Sequence, residues 1–299
     1  MIAETEIAQK GLVLLGCGKM GSAMLAGGLA DGLPPTSVWV QDPFPSEWLK
    51  TIGVNLNEPL PVSPAVVLIA VKPQLMADAL PVLQNMGNSS TLFISVAAGI
   101  KMSIYEKMLG DQTPVIRTMP NTPAEIGQGI TAIIGNVHAS SEHLREAETL
   151  LAAIGDVVRL DREDQIDAVT AVSGSGPAYV FHMIECLAAA GEAQGLPADL
   201  AMQLAKATVS GAGALAIQSD ESPAQLRINV TSPNGTTQAG LDVLMAQEDG
   251  LPSLITNTVT AACDRDRTLG TRRWASRQWI SCVLEFKNRQ RQVMGDSSV

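Results

Sequence analysis

Thr236 and Thr237 close a run, Val230-Thr231-Ser232-Pro233-Asn234-Gly235, that leads into apolar residues at helical spacing, Leu241, Leu244 and Met245. Proline suits the first position of a helix, where its missing N–H would lack a partner anyway. Ser232 or Thr231 can cap the same end. The amides of Asn234 to Thr237 then point out of a helix start, where free N–H donors and the positive end of the dipole hold an anion. Two hydroxyls add donors that can turn toward a bound group. Taken alone, the stretch is either such a site or an ordinary capped helix after a turn.

A second constellation lies near the other end of the chain. Gly16-x-Gly18-x-x-Gly21 directly follows the apolar run Gly11–Leu15 and precedes Met24, Leu25 and Leu29 at helical spacing. Between a strand and a helix this pattern holds a dinucleotide: the first glycine makes the turn, the second admits the pyrophosphate, the third packs helix on strand. Asp42 ends the next short strand, Val38–Val40. An acid there accepts hydrogen bonds from the ribose hydroxyls of NAD and repels a 2′-phosphate, and no Lys or Arg lies between Lys19 and Lys50 to offset it. Asp42-Pro43 is equally a turn signal. Lys72, at the end of a third strand, is either a cofactor or substrate contact or a solvated loop lysine. Ser95–Gly99 and Arg117–Pro123 also follow strands, and their small residues and prolines make rigid walls. Asp167–Tyr179 reads either as a loop entering a helix or as a second cleft wall.

These residues need elements to carry them. Strands are expected at Gly11–Leu15, Val38–Val40, Ala65–Val71, Thr91–Val96, Val115–Met119 and Gly129–Ile134, with a helix over Met76–Met86. Strands alternating with helices imply an α/β fold with a doubly wound parallel sheet. Beyond residue 160 the pattern turns helical: Pro177–Gln194, Pro197–Gln218, a short piece from Pro223, Gly235–Gln247 and Leu251 to about Leu269. Faces of small residues such as Ser210–Ala216 let helices approach closely, as a dimer interface would need. The expected organisation is a loose extension over 1–10, a dinucleotide-binding domain over 11–162, an all-α domain over 163–270, and a loose basic tail over 271–299. That tail holds six Lys and Arg against two acids.

The formal net charge of −10 argues against nucleic acid as a partner. The four cysteines, Cys17, Cys186, Cys263 and Cys282, show no paired spacing, which fits a reducing, cytoplasmic setting and excludes a disulfide framework or zinc site. The three histidines share no ligand spacing, so no metal is expected. The acidic first ten residues lack the apolar core of a leader. No uninterrupted apolar run is long enough for a bilayer, so no membrane partner is expected.

In order along the chain, LLGCGKMG, LIAVKPQ, SVAAGI, RTMPNTPAEIGQGITA, DAVTAVSGSGPAYVF and PAQLRINVTSPNGTT resemble the pyrroline-5-carboxylate reductase family over about residues 10 to 270. The resemblance implies a Rossmann-like sheet followed by a helical dimerisation domain that interlocks with its twin, in a homodimer, with rings of dimers known in the family. It implies hydride transfer from NADH or NADPH to 1-pyrroline-5-carboxylate, giving L-proline. Cofactor contacts would map onto Gly16, Gly18, Met20, Gly21, Ala70, Lys72, Pro73 and Asn121, and the substrate loop onto Ser232, Gly235, Thr236 and Thr237. The helical cleft wall would comprise Thr170 and Ser173–Gly176, with Ser175 facing substrate. Thr237 is the candidate proton relay and Lys72 a second catalytic candidate. Three positions depart from the family pattern: Asn234 replaces the usual glycine, Asp42 stands where many members are neutral or basic and favours NADH, and the tail is long. Two rivals are a β-hydroxyacid dehydrogenase and a non-enzymatic NAD(P) sensor. The former wants a lysine in the helical domain, and the lone lysine between Lys107 and Lys287 is Lys206, without a matching motif.

Overall fold

A computed structural model describes residues 2–274. The chain divides into two compact units: residues up to Gly174 together with the stretch from Cys263, and Ser175–Ala262.

The first unit holds β1 (Leu12–Leu15), β2 (Val38–Gln41), β3 (Asn55–Leu56), β4 (Val66–Ile69), β5 (Leu92–Ser95), β6 (Val115–Met119), β7 (Gly129–Gly135) and β8 (Gly155–Arg159). They form one sheet in the order β3-β2-β1-β4-β5-β6-β7-β8. Its helices are α1 (Glu6–Lys10), α2 (Lys19–Ala30), α3 (Glu47–Thr51), α4 (Met76–Ala79), α5 (Met102–Leu109), α6 (Ser141–Ala152) and α7 (Gln165–Val169), which runs into a π-helical turn at Thr170–Gly174. Every residue of β1, β4, β5 and β6 is buried. Such continuous apolar runs are what a sheet covered on both faces requires. One face packs Leu12, Leu14 and Leu68 with Met24 and Leu25 of α2 and Leu150 and Leu151 of α6. The other packs Val13, Val67 and Phe93 with Met76, Leu80, Tyr105 and Met108.

All strand pairs are parallel except β6–β7, which is antiparallel, so the doubly wound sheet is parallel-dominated. The link between them carries a 3-10 turn at Thr122–Ile126, too short for the crossover of a dozen or more residues that a parallel return needs. Two strands escaped the sequence pattern. β3 has two residues, and β8 alternates Asp156 with half-buried Val157 at an edge. The expected helix over Met76–Met86 is α4 followed by a 3-10 segment at Leu80–Met86, because Pro81 removes a donor from the α-helical ladder.

Residues 2–10 are not a loose extension. They form a 3-10 turn and α1, and Ile2 and Ile7 are fully buried in the core beside Leu33 and Val38. Polar neighbours, Glu4, Thr5 and Glu6, masked two isolated core positions. Ile7→Ala is expected to lower unfolding stability by about 2–5 kcal/mol, as for other buried isoleucines. Urea titration should show a lower midpoint at unchanged slope, and a loss below about 0.5 kcal/mol, the range of surface changes, would show that α1 docks loosely.

The second unit is helical: α8 (Gly176–Ala193), α9 (Ala198–Gln218), α10 (Pro223–Asn229), α11 (Thr236–Leu244) and the first half of α12 (Leu251–Trp274). Its buried apolar side chains, among the described residues, are Ala188, Ala201 and Ala205, at the contact of α8 with α9. Phe181, Leu204, Leu215 and Ile217 are exposed. So broad an apolar surface marks an association face. By length and composition α9 could cross a membrane, with mean hydropathy 1.3. Asp199 and Lys206 interrupt its apolar run. Helix α12 reaches Trp274, inside the stretch expected to be loose, and the tail from 275 lies outside the described residues.

Candidate active site

The two central strands β1 and β4 are neighbours, with β2 and β3 running out on one side and β5 and β6 on the other. Strand order reverses there, which opens a ligand crevice at the carboxyl ends of the strands. The loops that leave β1 and β4 meet at this point. Gly16 has φ +85, and a Cβ on it would lie 2.8 Å from the Val71 side chain and 3.1 Å from the Ala70 carbonyl. A Cβ on Gly21 would lie 2.5 Å from the Gly16 oxygen and 3.3 Å from the Ala70 Cβ. Gly16, Gly21 and Ala70 are therefore one close-packed knot, and Met20 packs on the core beneath it. Gly18 differs. It caps α2 without a side-chain hydrogen bond, and a Cβ there would meet no protein atom within 4 Å. A helix start with free amides below open space is what a pyrophosphate needs, so these residues fit a dinucleotide.

Asp42 leaves β2 beside the same loop. Its Oδ2 accepts the Cys17 amide at 2.7 Å and its Oδ1 accepts the Phe44 amide at 2.8 Å. Burial, with the Asp42 charge adding to it, pushes the Cys17 thiol up to about 11. Lys19 is exposed and lines a cleft of about 420 Å³ with Ser22, Ser46, Trp48 and Glu125. Lys72 is also exposed, and with Pro73 it opens a 3-10 turn after β4.

The remaining edge residues are mostly engaged with protein. The Asn121 side chain accepts the Ile130 amide at 3.0 Å and donates to Ser173 Oγ at 3.3 Å. Thr170 donates its hydroxyl to the Ile166 carbonyl at 2.9 Å. Ser95 is buried, pairs with the Tyr105 hydroxyl and accepts the Ala97 amide. Burial pushes the Tyr105 phenol upward, far from any role as an acid at neutral pH.

In the helical unit, the stretch before α11 differs from its expected form. Neither Pro233 nor a side-chain cap starts the helix. Ser232–Gly235 is a turn, with the Gly235 amide on the Ser232 carbonyl at 3.0 Å, and Gly235 is the N-cap of α11. Asn234 sits at φ +57, the left-handed backbone that asparagine tolerates better than most residues. A proline followed by such a residue makes a tight turn that delays the helix by three positions. The consequence for chemistry is favourable: no side chain caps α11 and no acid lies in its first turn. Thr236 and Thr237 lie exposed at this open helix start, while Ser232 is an exposed turn residue behind it. Ser175, which caps α8 without a side-chain bond, is half-buried.

Sequence motifs gave no hint of Asn57. Its amide clamps the main chain of Asp42 on both sides, at 2.9 Å each. Its one sequence signal is an Asn directly after a short strand, a place where left-handed backbone is common.

Residues 163–269 match the family model for pyrroline-5-carboxylate reductase dimerisation, and residues 11–99 match that for coenzyme F420-dependent NADP oxidoreductases. The chain is 38% identical over 264 residues to the pyrroline-5-carboxylate reductase of Pseudomonas aeruginosa, covering 86% of this chain and 96% of that protein. The solved pyrroline-5-carboxylate reductase of Coxiella burnetii superposes with a TM-score of 0.83 at 32% identity, over 88% of this chain and 99% of that one. The Plasmodium falciparum pyrroline carboxylate reductase, solved with NADP bound, superposes at 0.76 with 27% identity, over 88% of this chain and 99% of that one. Near-complete coverage at these identities means that the chain belongs to the pyrroline-5-carboxylate reductase family.

Proposed function

We propose that the chain reduces 1-pyrroline-5-carboxylate to L-proline with a nicotinamide dinucleotide, its helical unit forming a homodimer. One observation carries the site assignment: a family member holds both an open dinucleotide loop at Gly16–Gly21 and an uncapped helix start at Thr236–Thr237. A reduced nicotinamide held by the loop supplies the hydride for C5 of the imine. Gly16, Gly18, Met20 and Gly21 cradle the dinucleotide, with Ala70, Lys72 and Pro73 beside it. Because the Asn121 side chain is engaged, that residue contributes main-chain atoms. The amides and hydroxyls of Gly235, Thr236 and Thr237 take the substrate carboxylate, and Ser232, Thr170 and Ser175 are further substrate contacts.

C5 of the imine accepts hydride well only when the imine nitrogen is protonated. Cys17, at about 11, keeps its proton at neutral pH, and a threonine hydroxyl is a poor acid there. Thr237 therefore orients the substrate and relays a proton at most, and positioning supplies most of the rate. Lys72 adds positive charge at the edge of β4 rather than a proton. NADH is the preferred donor, because the Asp42 carboxylate is fixed beside the loop by two amides and would face a 2′-phosphate. Assembly into rings of dimers, a cytoplasmic location and no membrane partner complete the reading. Support for the location is that the four cysteines show no paired spacing in the sequence.

The test is oxidation of NADH on adding 1-pyrroline-5-carboxylate to the purified protein, beside NAD reduction on adding 3-hydroxyisobutyrate. Imine-dependent oxidation supports the proposal, and activity on the hydroxyacid alone would place the chain with the dehydrogenases. Thr237→Ala should lower kcat/KM for the imine about tenfold or more, the effect of losing one hydrogen bond to a charged group. Dinucleotide affinity should stay within about twofold, since a uniform loss would come from binding elsewhere. An equal loss of both would show that α11 is not the carboxylate site.

A further inference from the structure

The central residue of the dinucleotide loop is held in place from the far edge of the sheet. Strand β3 pairs with β2 through Trp39 opposite Asn55 and Val40 opposite Leu56. Asn57 follows at φ +54, its amide on the Val40 carbonyl at 2.8 Å. Its side chain then turns back on Asp42: Oδ1 accepts the Asp42 amide and Nδ2 donates to the Asp42 carbonyl, both at 2.9 Å. That pairing fixes the orientation of the side-chain amide, because a flipped group would set donor against donor and acceptor against acceptor. The Asp42 carboxylate in turn accepts Cys17 and Phe44 amides at 2.7 and 2.8 Å. Cys17 lies between the first two glycines of the loop.

We propose that Asn57 is a positioning residue for dinucleotide binding and for the choice between NADH and NADPH, a reading that rests on the dinucleotide role of the Gly16–Gly21 loop. It acts through Asp42 and touches no ligand. With Asn57 in place, the carboxylate cannot swing from a 2′-phosphate without dropping the Cys17 amide that shapes the loop. Without it, the Asp42 peptide loses both side-chain partners. The carboxylate is then free to turn outward, which weakens its bonds to ribose hydroxyls and relieves its repulsion of a phosphate.

Asn57→Gly separates this role from simple backbone strain, since glycine keeps a positive φ at no steric cost and removes the amide. Asn57→Asp keeps the acceptor for the Asp42 amide and loses the donor. Asn88→Gly is the control: Asn88 also lies at positive φ, 51°, and its Oδ1 accepts the Gln112 amide, away from the loop. Titration calorimetry of the full chain with NADH and with NADPH reads binding without the imine, and thermal unfolding reads the fold. Asn57→Gly should weaken NADH by about three- to tenfold, the range for one ordinary hydrogen bond, and leave NADPH within about twofold. Asn57→Asp should restore part of the ratio, and Asn88→Gly should change Tm and neither Kd. The ratio of the two Kd values is the readout that a merely destabilised fold would not move. If wild-type protein binds NADH and both Asn57 variants keep its ratio, the inference is overturned. If wild-type protein binds neither dinucleotide, the functional reading itself falls, and this inference with it.

Discussion

Gly21→Ala is expected to weaken dinucleotide binding by about 30- to 150-fold, the equivalent of about 2–3 kcal/mol of overpacking strain. The new methyl group would sit 2.5 Å from the Gly16 carbonyl oxygen. That oxygen cannot retreat easily, because Gly16 is itself pinned at φ +85 between Val71 and Ala70. Either α2 lifts from β1 or the loop deforms, and both spoil the amide cradle. Thermal unfolding should shift downward as well, since Met24 and Leu25 of the same helix are core residues. Gly18→Ala supplies the contrast. Its φ of −70 suits alanine and its methyl group would meet no protein atom within 4 Å. Its Tm should therefore hold while dinucleotide binding falls, because the methyl fills space meant for the ligand. Unchanged binding in Gly18→Ala would remove the pyrophosphate from this loop.

The contrast also shows what the sequence could and could not reveal. Gly16, Gly18 and Gly21 were legible because a tight turn, an open approach and a close packing each demand glycine at a fixed offset. The buried strands were legible because burial on both faces leaves an unbroken apolar run. β3 and β8 were not, since an edge strand has little apolar surface to declare itself. Ile2 and Ile7 were hidden by the polar neighbours Glu4, Thr5 and Glu6 between them. The stretch Ser232–Thr237 shows a local geometry that the sequence did not reveal: a Pro-Asn turn and a proline-started helix read alike, and the left-handed Asn234 decides between them. Asp42 illustrates a further limit. Its position at the end of β2 was evident, but its bond to the Cys17 amide depends on a contact 25 residues away that no local pattern encodes.

Glu163→Ala should cost about 3 kcal/mol of stability, the low end of the 3–5 kcal/mol expected when a buried ion pair loses one partner. Arg117, on β6, has a side chain only 3% exposed and donates to Glu163 Oε1 at 2.9 Å, while Glu163 is 31% exposed and partly solvated. The same oxygen accepts the Met102 amide at 2.8 Å, so truncation strands two donors. The double variant Arg117→Met with Glu163→Ala should cost less than the sum of the singles, because the uncompensated guanidinium is gone. Arg117 also opposes the cost of burying Asp266 on α12. Burial, and next the neighbouring Asp167 charge, raise the Asp266 carboxyl above its ordinary value, while Thr170 and Arg117 pull it back. A raised folded-state value means that the folded protein holds a proton the unfolded chain releases. Stability is then greatest below the ordinary carboxyl value and falls as pH rises through the shifted one. Arg117→Met removes a cation that favours the ionised form, so the Asp266 carboxyl should rise further. Relative to wild type, the variant should lose additional stability as pH climbs from about 4 to 7, measured as urea midpoints across that range. A difference between variant and wild type that stays constant with pH would show that Arg117 does not favour the ionised form of Asp266.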